Sequence, residues 1–286
     1  MNKLEFDYLK QTLYERSGLI VTPDKGYLIE SRLMPIARRR GVENVEKLIE
    51  QIRKTRDEAV LAQIVDAMTT NETLFFRDSW PFERLRSSLL PEIMTMTKTS
   101  RRVRIWSAAC SSGQEPYSLA MTIAEMGAAL AGWQVEIVST DISDAMLARA
   151  EAGRYSVFEV SRGLPEPMLH RYFEPDGDGW RVKQRIRDMV TFRRYNLLDD
   201  PVANGLGPFD IIFCRNVLIY FDEDTRRRVF SGLARVLRPW GYLCLGGAET
   251  VVGISTAFRI LAGERGLFGL AQEHGPDDAD IRLRAG

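Results

Sequence analysis

The stretch VRIWSAACSSGQEPYSLAM, residues 103–121, joins a short apolar run to a helical pattern through a loop of small residues. Three more short apolar runs follow, separated by helical patterns: VEIVST at 135–140, FDIIFC at 209–214 and YLCLGG at 242–247. Strands that alternate with helices are typical of βαβ units around a parallel sheet. The fold class expected from this region is therefore α/β.

Two parts of this region depart from the alternation. FRIL at 258–261 and GLFGLA at 266–271 are too close for a helical crossover, so they predict an antiparallel hairpin at one edge of the sheet. Between Gly153 and Asn196 the helical rhythm stops, and DGDGW at 176–180 is typical of a tight turn. We expect a small β insertion at about 154–195.

The chain before residue 101 is helical in pattern. Up to about residue 70, apolar residues recur in steps of three and four, with turn residues between the segments, which predicts a small helical bundle. A further helix is expected from about Trp80 to Met96, as a linker. These features predict an N-terminal helical domain at 1–78 and a second domain at 79–286 that contains the β insertion.

Composition excludes several classes of function. Lys plus Arg and Asp plus Glu are balanced at 39 each, which argues against nucleic-acid binding by overall charge. The cysteines Cys110, Cys214 and Cys244 form no CxxC pair, and only His170 and His274 could add nitrogen ligands, so we expect neither disulfides nor a metal. With no signal-like N-terminus and no apolar run of roughly 20 residues, we expect a cytoplasmic protein without membrane insertion.

The loop after the first strand offers a ligand site. Its small residues leave the backbone accessible beside a helix N-terminus, but it has one glycine where a dinucleotide loop needs three. Glu115 would repel a phosphate but could accept a hydrogen bond from an amino or hydroxyl group of a ligand. An ordinary βα turn with an acidic residue in the first turn of the helix explains these residues equally well. Asp141, after the second strand, could take both ribose hydroxyls of an adenosine, unless Asp141 or Ser143 caps the next helix. This pattern favours S-adenosylmethionine over NAD.

Two polar and aromatic segments complete the set of candidates. In TTNETLFFRD at 69–78, Thr69 and Glu72 have capping-box spacing, and the two phenylalanines could belong to the core. FCRNVLIYFD at 213–222 ends a strand that should face the ligand crevice. Its arginine and asparagine need partners if they are buried, and Tyr220 could be a core aromatic residue.

Together with STDIS at 139–143 and YNLLD at 195–199, these segments closely resemble the CheR-type protein-glutamate O-methyltransferases of bacterial chemotaxis. The resemblance covers nearly the whole chain, and the five blocks keep the same order. It implies a Rossmann-like S-adenosylmethionine-dependent methyltransferase fold with a seven-stranded sheet. The matching positions implied to line the cofactor site are Asn71, Thr73, Arg77, Glu115, Asp141, Asn196, Leu197, Arg215 and Asn216. Arg77 and Tyr220 are implied to lie nearest the methyl transfer.

The resemblance also implies the partner and the product. The methyl acceptors would be glutamates in the cytoplasmic helices of chemoreceptors. The cofactor product would be S-adenosyl-L-homocysteine, and the enzyme would be a monomer. Two other functions stay open: a regulatory module that binds the cofactor or its product without turnover, and a methyltransferase acting on RNA or a small molecule. The basic residues that could serve docking, or simply form a solvated helix face, cluster in the N-terminal domain as Arg32, Arg38, Arg39, Arg40, Arg53 and Lys54.

Overall fold

The N-terminal segment folds into four helices, as its apolar spacing predicts. The computed structural model describes residues 1–271, so the end of the expected second domain, 272–286, lies outside the described residues. The helices are α1 Lys3–Ser17, α2 Gly26–Arg39, α3 Val45–Thr55 and α4 Glu58–Met68, and a 3₁₀ turn at Pro23–Lys25 precedes α2. Asn2, Asn44 and Asp57 accept backbone N–H groups at the starts of α1, α3 and α4. The apolar stripes of the four helices form a separate core.

The helix predicted from about Trp80 to Met96 is present, but its interpretation as a linker is wrong. It consists of α5 Trp80–Arg84, a π-helical turn at Leu85–Leu89 and α6 Leu90–Met96. Leu85 and Leu90 are fully buried and belong to the same apolar cluster as the sheet. The helix therefore packs on one face of the second domain and is part of its core.

The second domain is built on two sheets. Its strands are β1 Arg102–Ala108, β2 Gln134–Asp141, β3 Arg154–Ser156, β4 Phe173–Asp176, β5 Gly179–Val182, β6 Val190–Arg194, β7 Phe209–Cys214, β8 Leu237–Leu245, β9 Phe258–Ile260 and β10 Leu267–Leu270. The main sheet has seven strands in the order β6-β2-β1-β7-β8-β10-β9. The first five are parallel, and β10 is antiparallel to both of its neighbours. The α/β class, the seven-stranded sheet and the closing hairpin are all confirmed.

The insertion is a separate antiparallel sheet in the order β3-β5-β4, with the predicted tight turn between β4 and β5. The short helices α9 Val157–Ser161, α10 Glu166–Tyr172 and α11 Gln184–Arg187 accompany it. Tyr155 on β3 is buried, and its hydroxyl donates to the carbonyl oxygen of Ser112 at 2.7 Å. The insertion therefore supports the loop that follows β1.

Longer helices cover the main sheet and leave open the edge at which the parallel strands have their carboxyl ends. They are α7 Gln114–Glu125, α8 Asp144–Ala152 and α12 Glu223–Val236, with 3₁₀ turns at Gly127–Leu130 and Leu218–Tyr220. The parallel strands β1, β2, β6 and β7 all end at that edge, where α/β sheets bind their ligands. Within residues 1–271, no helix combines the length and the apolar character needed to cross a membrane.

Candidate active site

A cavity opens where the parallel strands end, between the sheet and the N-terminal helices. It encloses about 970 Å³ of atom-free space, including its open mouth. All ten residues singled out from the sequence line it: Asn71, Thr73, Arg77, Glu115, Asp141, Asn196, Leu197, Arg215, Asn216 and Tyr220. The fold thus brings five separate sequence blocks to one place, while the role of each residue stays a prediction.

The loop after β1 follows an unusual backbone path. Ala109 and Ser111 have left-handed φ angles of 59° and 49°, and Gly113 has φ 93°. A Cβ atom at Gly113 would lie 2.9 Å from the Cβ of Ala150, so only glycine lets α7 begin so close to α8. The backbone N–H of Ser111 donates to Oδ2 of Asp141 at 2.7 Å, which holds the loop against the end of β2.

Asp141 is buried at the end of β2, where its carboxylate lines the cavity. Its Oδ1 accepts from the backbone N–H of Ser143 at 2.9 Å, while the Ser143 hydroxyl accepts from the N–H of Met146 and caps α8. Helix capping therefore belongs to Ser143, and Asp141 is free of that task. Burial raises the pKa of Asp141 above its ordinary value, although the N–H groups of Ser143 and Ser111 oppose the shift.

Arg215 is a buried charge that organises an ionic cluster beside the cavity. Its side chain is 1% exposed; Nη1 donates to Oε2 of Glu115 at 2.9 Å, and Nη2 donates to Oδ2 of Asp78 at 2.7 Å and to the carbonyl oxygen of Arg77 at 2.8 Å. Glu115 also accepts from the hydroxyl of Ser107 at 2.8 Å. Burial acts to lower the pKa of Arg215, but the charges of Glu115 and Asp78 together with the hydrogen bond to Glu115 act against it, and the pKa is raised. Arg215 therefore stays charged and anchors the backbone that carries Arg77.

The segment 69–78 lines the cavity without forming a helix, so the capping-box interpretation is wrong. Thr69 instead ends α4, and its hydroxyl donates to the carbonyl oxygen of Asp66 at 2.7 Å. Phe75 is fully buried, so it is a core residue. The guanidinium of Arg77 donates to the carbonyl oxygen of Glu72 at 3.1 Å and pairs with no carboxylate among residues 1–271. Arg77 thus presents a positive charge that no described acidic side chain neutralises.

Tyr220 lies in the 3₁₀ turn after β7 and is only half-buried, so it is not a core residue. Asn216, also half-buried, has a left-handed φ of 59° at the bend between β7 and this turn. Sequence reasoning missed the residue that holds the bend, Glu249, whose carboxylate accepts N–H groups from residues 216–218. The available signal was an acid four residues beyond β8, a strand that ends at the same edge of the sheet.

The N-terminal domain closes one side of the cavity, a contribution that sequence reasoning also missed. Ser17 and Leu19, at and just beyond the end of α1, belong to the lining. The side-chain amide of Asn196 donates to the carbonyl oxygen of Arg16 at 2.7 Å, and its oxygen accepts from the N–H of Leu198 at 3.1 Å. Asn196 therefore joins the two domains in addition to lining the cavity.

The donors and acceptors of this cavity fit S-adenosylmethionine. The buried carboxylate of Asp141 suits a ribose diol, the glycine-poor loop suits a ligand without phosphates, and Arg77 suits a carboxylate group. No cluster of three or more His, Cys, Asp or Glu within residues 1–271 is arranged to hold a metal ion. The sheet order and this site define the class of S-adenosylmethionine-dependent methyltransferases.

Comparison with known proteins identifies the family within this class. Residues 71–267 match the family model of the CheR methyltransferase S-adenosylmethionine-binding domain, and residues 4–69 match that of the CheR all-alpha domain. Chemotaxis protein methyltransferase Cher2 of Pseudomonas putida is 40% identical over 90% of this chain and 94% of its own length. Chemotaxis protein methyltransferase 1 of Pseudomonas aeruginosa is 42% identical over 90% of this chain and 94% of its own length. Chemotaxis protein methyltransferase 1 of Vibrio cholerae is also 42% identical, over 87% of this chain and 90% of its own length.

The chain therefore belongs to the CheR family of chemotaxis protein methyltransferases, and it is an S-adenosylmethionine-dependent protein-glutamate methyltransferase. The family predicted from the five sequence blocks is confirmed.

Proposed function

We propose that this chain is a cytoplasmic, monomeric enzyme that methylates glutamate side chains on the cytoplasmic helices of chemoreceptors. The observation that carries the proposal is the place of Tyr220, which lines both the cofactor cavity and a second groove. We name this groove the acceptor groove; it lies between residues 19–32 of the N-terminal domain and residues 219–221. Leu19, Thr70 and Phe221 line both spaces as well. Donor and acceptor would thus meet at Tyr220.

On the donor side, the chain's own groups bind and orient the cofactor. We assign the ribose hydroxyls to Asp141 and the cofactor's carboxylate end to the region of Arg77, with the remaining predicted residues forming the walls. When bound, S-adenosylmethionine supplies a methyl group on a positively charged sulfur. The ionic cluster of Arg215, Glu115 and Asp78 keeps the backbone of Arg77 in place, since Arg215 donates to its carbonyl oxygen.

On the acceptor side, positioning is the main requirement. A glutamate with an ordinary pKa near 4.3 is ionised at neutral pH, so its oxygen is already a nucleophile and no general base is needed. Tyr220 would orient that carboxylate toward the methyl group, and Arg77 would orient either the same carboxylate or the carboxylate end of the cofactor. Holding it too tightly would slow the reaction, because stabilising the ground state alone does not lower the barrier.

Charge at the acceptor groove suits an acidic helix. Lys25 and Arg32 line the groove, and Arg32 is held by the carbonyl oxygens of Met68 and Thr69 at 2.7 and 2.9 Å. Most of the other basic residues of the predicted cluster already pair with acids: Arg40 with Asp57, Arg53 with Glu5, and Lys54 with Glu50. Arg38 and Arg39, exposed at the end of α2, form no ion pair within residues 1–271 and are the residues proposed for docking.

The test is direct methylation of receptor fragments. The full chain is incubated with S-adenosylmethionine labelled in the methyl group and a panel of receptor cytoplasmic fragments. We expect the label to appear on the fragment and to be released as methanol by mild alkali, because a glutamyl methyl ester is hydrolysed under those conditions. A fragment whose acceptor glutamates are replaced by alanine should carry no label. Alkali-stable label, or label retained by the alanine fragment, contradicts the proposal.

A further inference from the structure

The carboxylate of Glu249 is surrounded by backbone amides from two loops. Oε2 accepts the N–H of Asn216 at 2.8 Å and that of Gly246 at 2.7 Å. Oε1 accepts the N–H of Val217 at 2.9 Å and that of Leu218 at 2.7 Å. Four backbone donors thus converge on one charged side chain, and three of them are consecutive residues of the loop that leads to Tyr220.

This arrangement determines the path of the chain between β7 and the 3₁₀ turn. Asn216 has a left-handed φ of 59°, a conformation that asparagine adopts more readily than other residues with a side chain but still less readily than glycine. The N–H of Leu218 opens the turn, and the N–H of Tyr220 then donates to the carbonyl oxygen of Val217 at 3.2 Å. Without Glu249, three consecutive N–H groups in the bend would lose their partner.

We propose that Glu249 is a positioning residue for methyl transfer, which fixes residues 216–218 and through them the place of Tyr220. The inference rests on the proposed function, because Tyr220 matters only if the acceptor reaches it. Glu249 lines neither the cofactor cavity nor the acceptor groove. Its effect is therefore expected mainly in turnover, because the cofactor depends on this loop only through Asn216 and keeps its contacts from the other loops.

The glycine next to this cluster gives an independent perturbation. A Cβ atom at Gly246 would lie 2.7 Å from Oε2 of Glu249 and 3.0 Å from the backbone nitrogen of Asn216. Gly246→Ala thus displaces the cluster without removing any functional group. Gly247 is exposed and a Cβ there meets nothing within 4 Å, so Gly247→Ala is its matched control. Glu264, which pairs with Arg84 at 2.6 Å, provides a matched control for the charge change.

The experiment compares the full chain with Glu249→Gln, Gly246→Ala and the controls Gly247→Ala and Glu264→Gln on one receptor fragment. Glutamine keeps the shape of Glu249 but offers one acceptor oxygen in place of two. We expect kcat to fall roughly 10- to 100-fold for Glu249→Gln and Gly246→Ala, because small displacements of positioning groups have effects of this size. The dissociation constant for S-adenosylhomocysteine should stay within about threefold, and the controls should keep wild-type kcat.

Rescue separates positioning from general stability. In Glu249→Ala, formate supplies a free carboxylate to the same amides and should restore part of kcat, with no effect on the wild type. If Glu249→Gln and Gly246→Ala lower the melting temperature but keep wild-type kcat, the inference is wrong. If Glu249→Gln does not fold, the kcat of Gly246→Ala decides. Should the wild type and Gly247→Ala both fail to methylate the fragment, it is the proposed function that fails.

Discussion

Asp141→Ala is the substitution that tests the donor site most directly. The side chain lost is a buried carboxylate whose assigned partners are the two ribose hydroxyls of the cofactor. One hydrogen bond to a charged group is worth about 1.5–3 kcal/mol, and we take this as the minimum loss for the ribose contact. We therefore expect S-adenosylmethionine and S-adenosylhomocysteine to bind about 10- to 150-fold more weakly, since each 1.4 kcal/mol is a factor of ten.

The same substitution also removes contacts within the protein. The N–H groups of Ser111 and Ser143 donate to the Asp141 carboxylate at 2.7 and 2.9 Å, and alanine leaves both without that acceptor. Each buried donor left unsatisfied costs about 1–3 kcal/mol. The melting temperature of Asp141→Ala should therefore fall as well, and the loop after β1 should loosen.

Titration calorimetry with a modified ligand separates these two effects. S-adenosylhomocysteine is compared with an analogue that lacks both ribose hydroxyls, on the wild type, Asp141→Ala and Asp144→Ala. Asp144 is a neighbouring, exposed acid and serves as the control. If Asp141 binds the diol, its removal weakens the natural ligand more than the analogue, because loosening of the loop affects both ligands. The coupling between the two changes is then at least about 1.5 kcal/mol. Equal weakening of both ligands by Asp141→Ala would refute the ribose contact and leave only a role in holding the loop.

Three further predictions concern turnover, docking and pH. Tyr220→Phe should lower kcat in single-turnover methylation and leave the affinity for S-adenosylhomocysteine unchanged, because its hydroxyl is assigned to the acceptor side. Changing Arg38 and Arg39 to Glu should raise the KM for receptor fragments and flatten the salt dependence of methylation, with cofactor binding intact. Because burial raises the pKa of Asp141, its carboxylate is protonated at a higher pH than that of an ordinary aspartate. Cofactor affinity should therefore weaken as the pH falls through that range, and Asp141→Asn should remove this pH dependence.

Each of these has an outcome that contradicts it. A wild-type rate for Tyr220→Phe returns that residue to a packing role. An unchanged receptor KM for the doubly reversed variant means that the end of α2 is only solvated, where helix C-terminal stabilisation explains the arginines. For pH, the apo protein must show the opposite trend in stability: a carboxyl group with a raised pKa binds more protons folded than unfolded, so stability falls as pH rises through that window. A flat profile in both measurements contradicts the role of Asp141.

Local patterns predicted much of this molecule. The short apolar runs became β1, β2, β7 and β8, and the close pair of runs at 258–261 and 266–271 became the antiparallel edge. These predictions succeeded because side-chain periodicity and turn residues determine local structure over a few positions of the chain. Asp141 was found for a related reason: the end of a parallel strand places any polar residue at the ligand edge of the sheet.

Contacts between distant segments could not be predicted in the same way. Composition and spacing show that Arg215 needs partners if it is buried, because an unpaired buried charge is too costly. They do not identify Asp78, 137 residues away, or the bond from Asn196 to the carbonyl oxygen of Arg16, 180 residues away. The partner of the loop at 216–218 was hidden for a further reason. The groups that need an acceptor there are backbone N–H donors, which every residue but proline carries. An acid after β8 was therefore only a weak signal, and the topology that brings the two loops together was needed to connect Glu249 with residues 216–218.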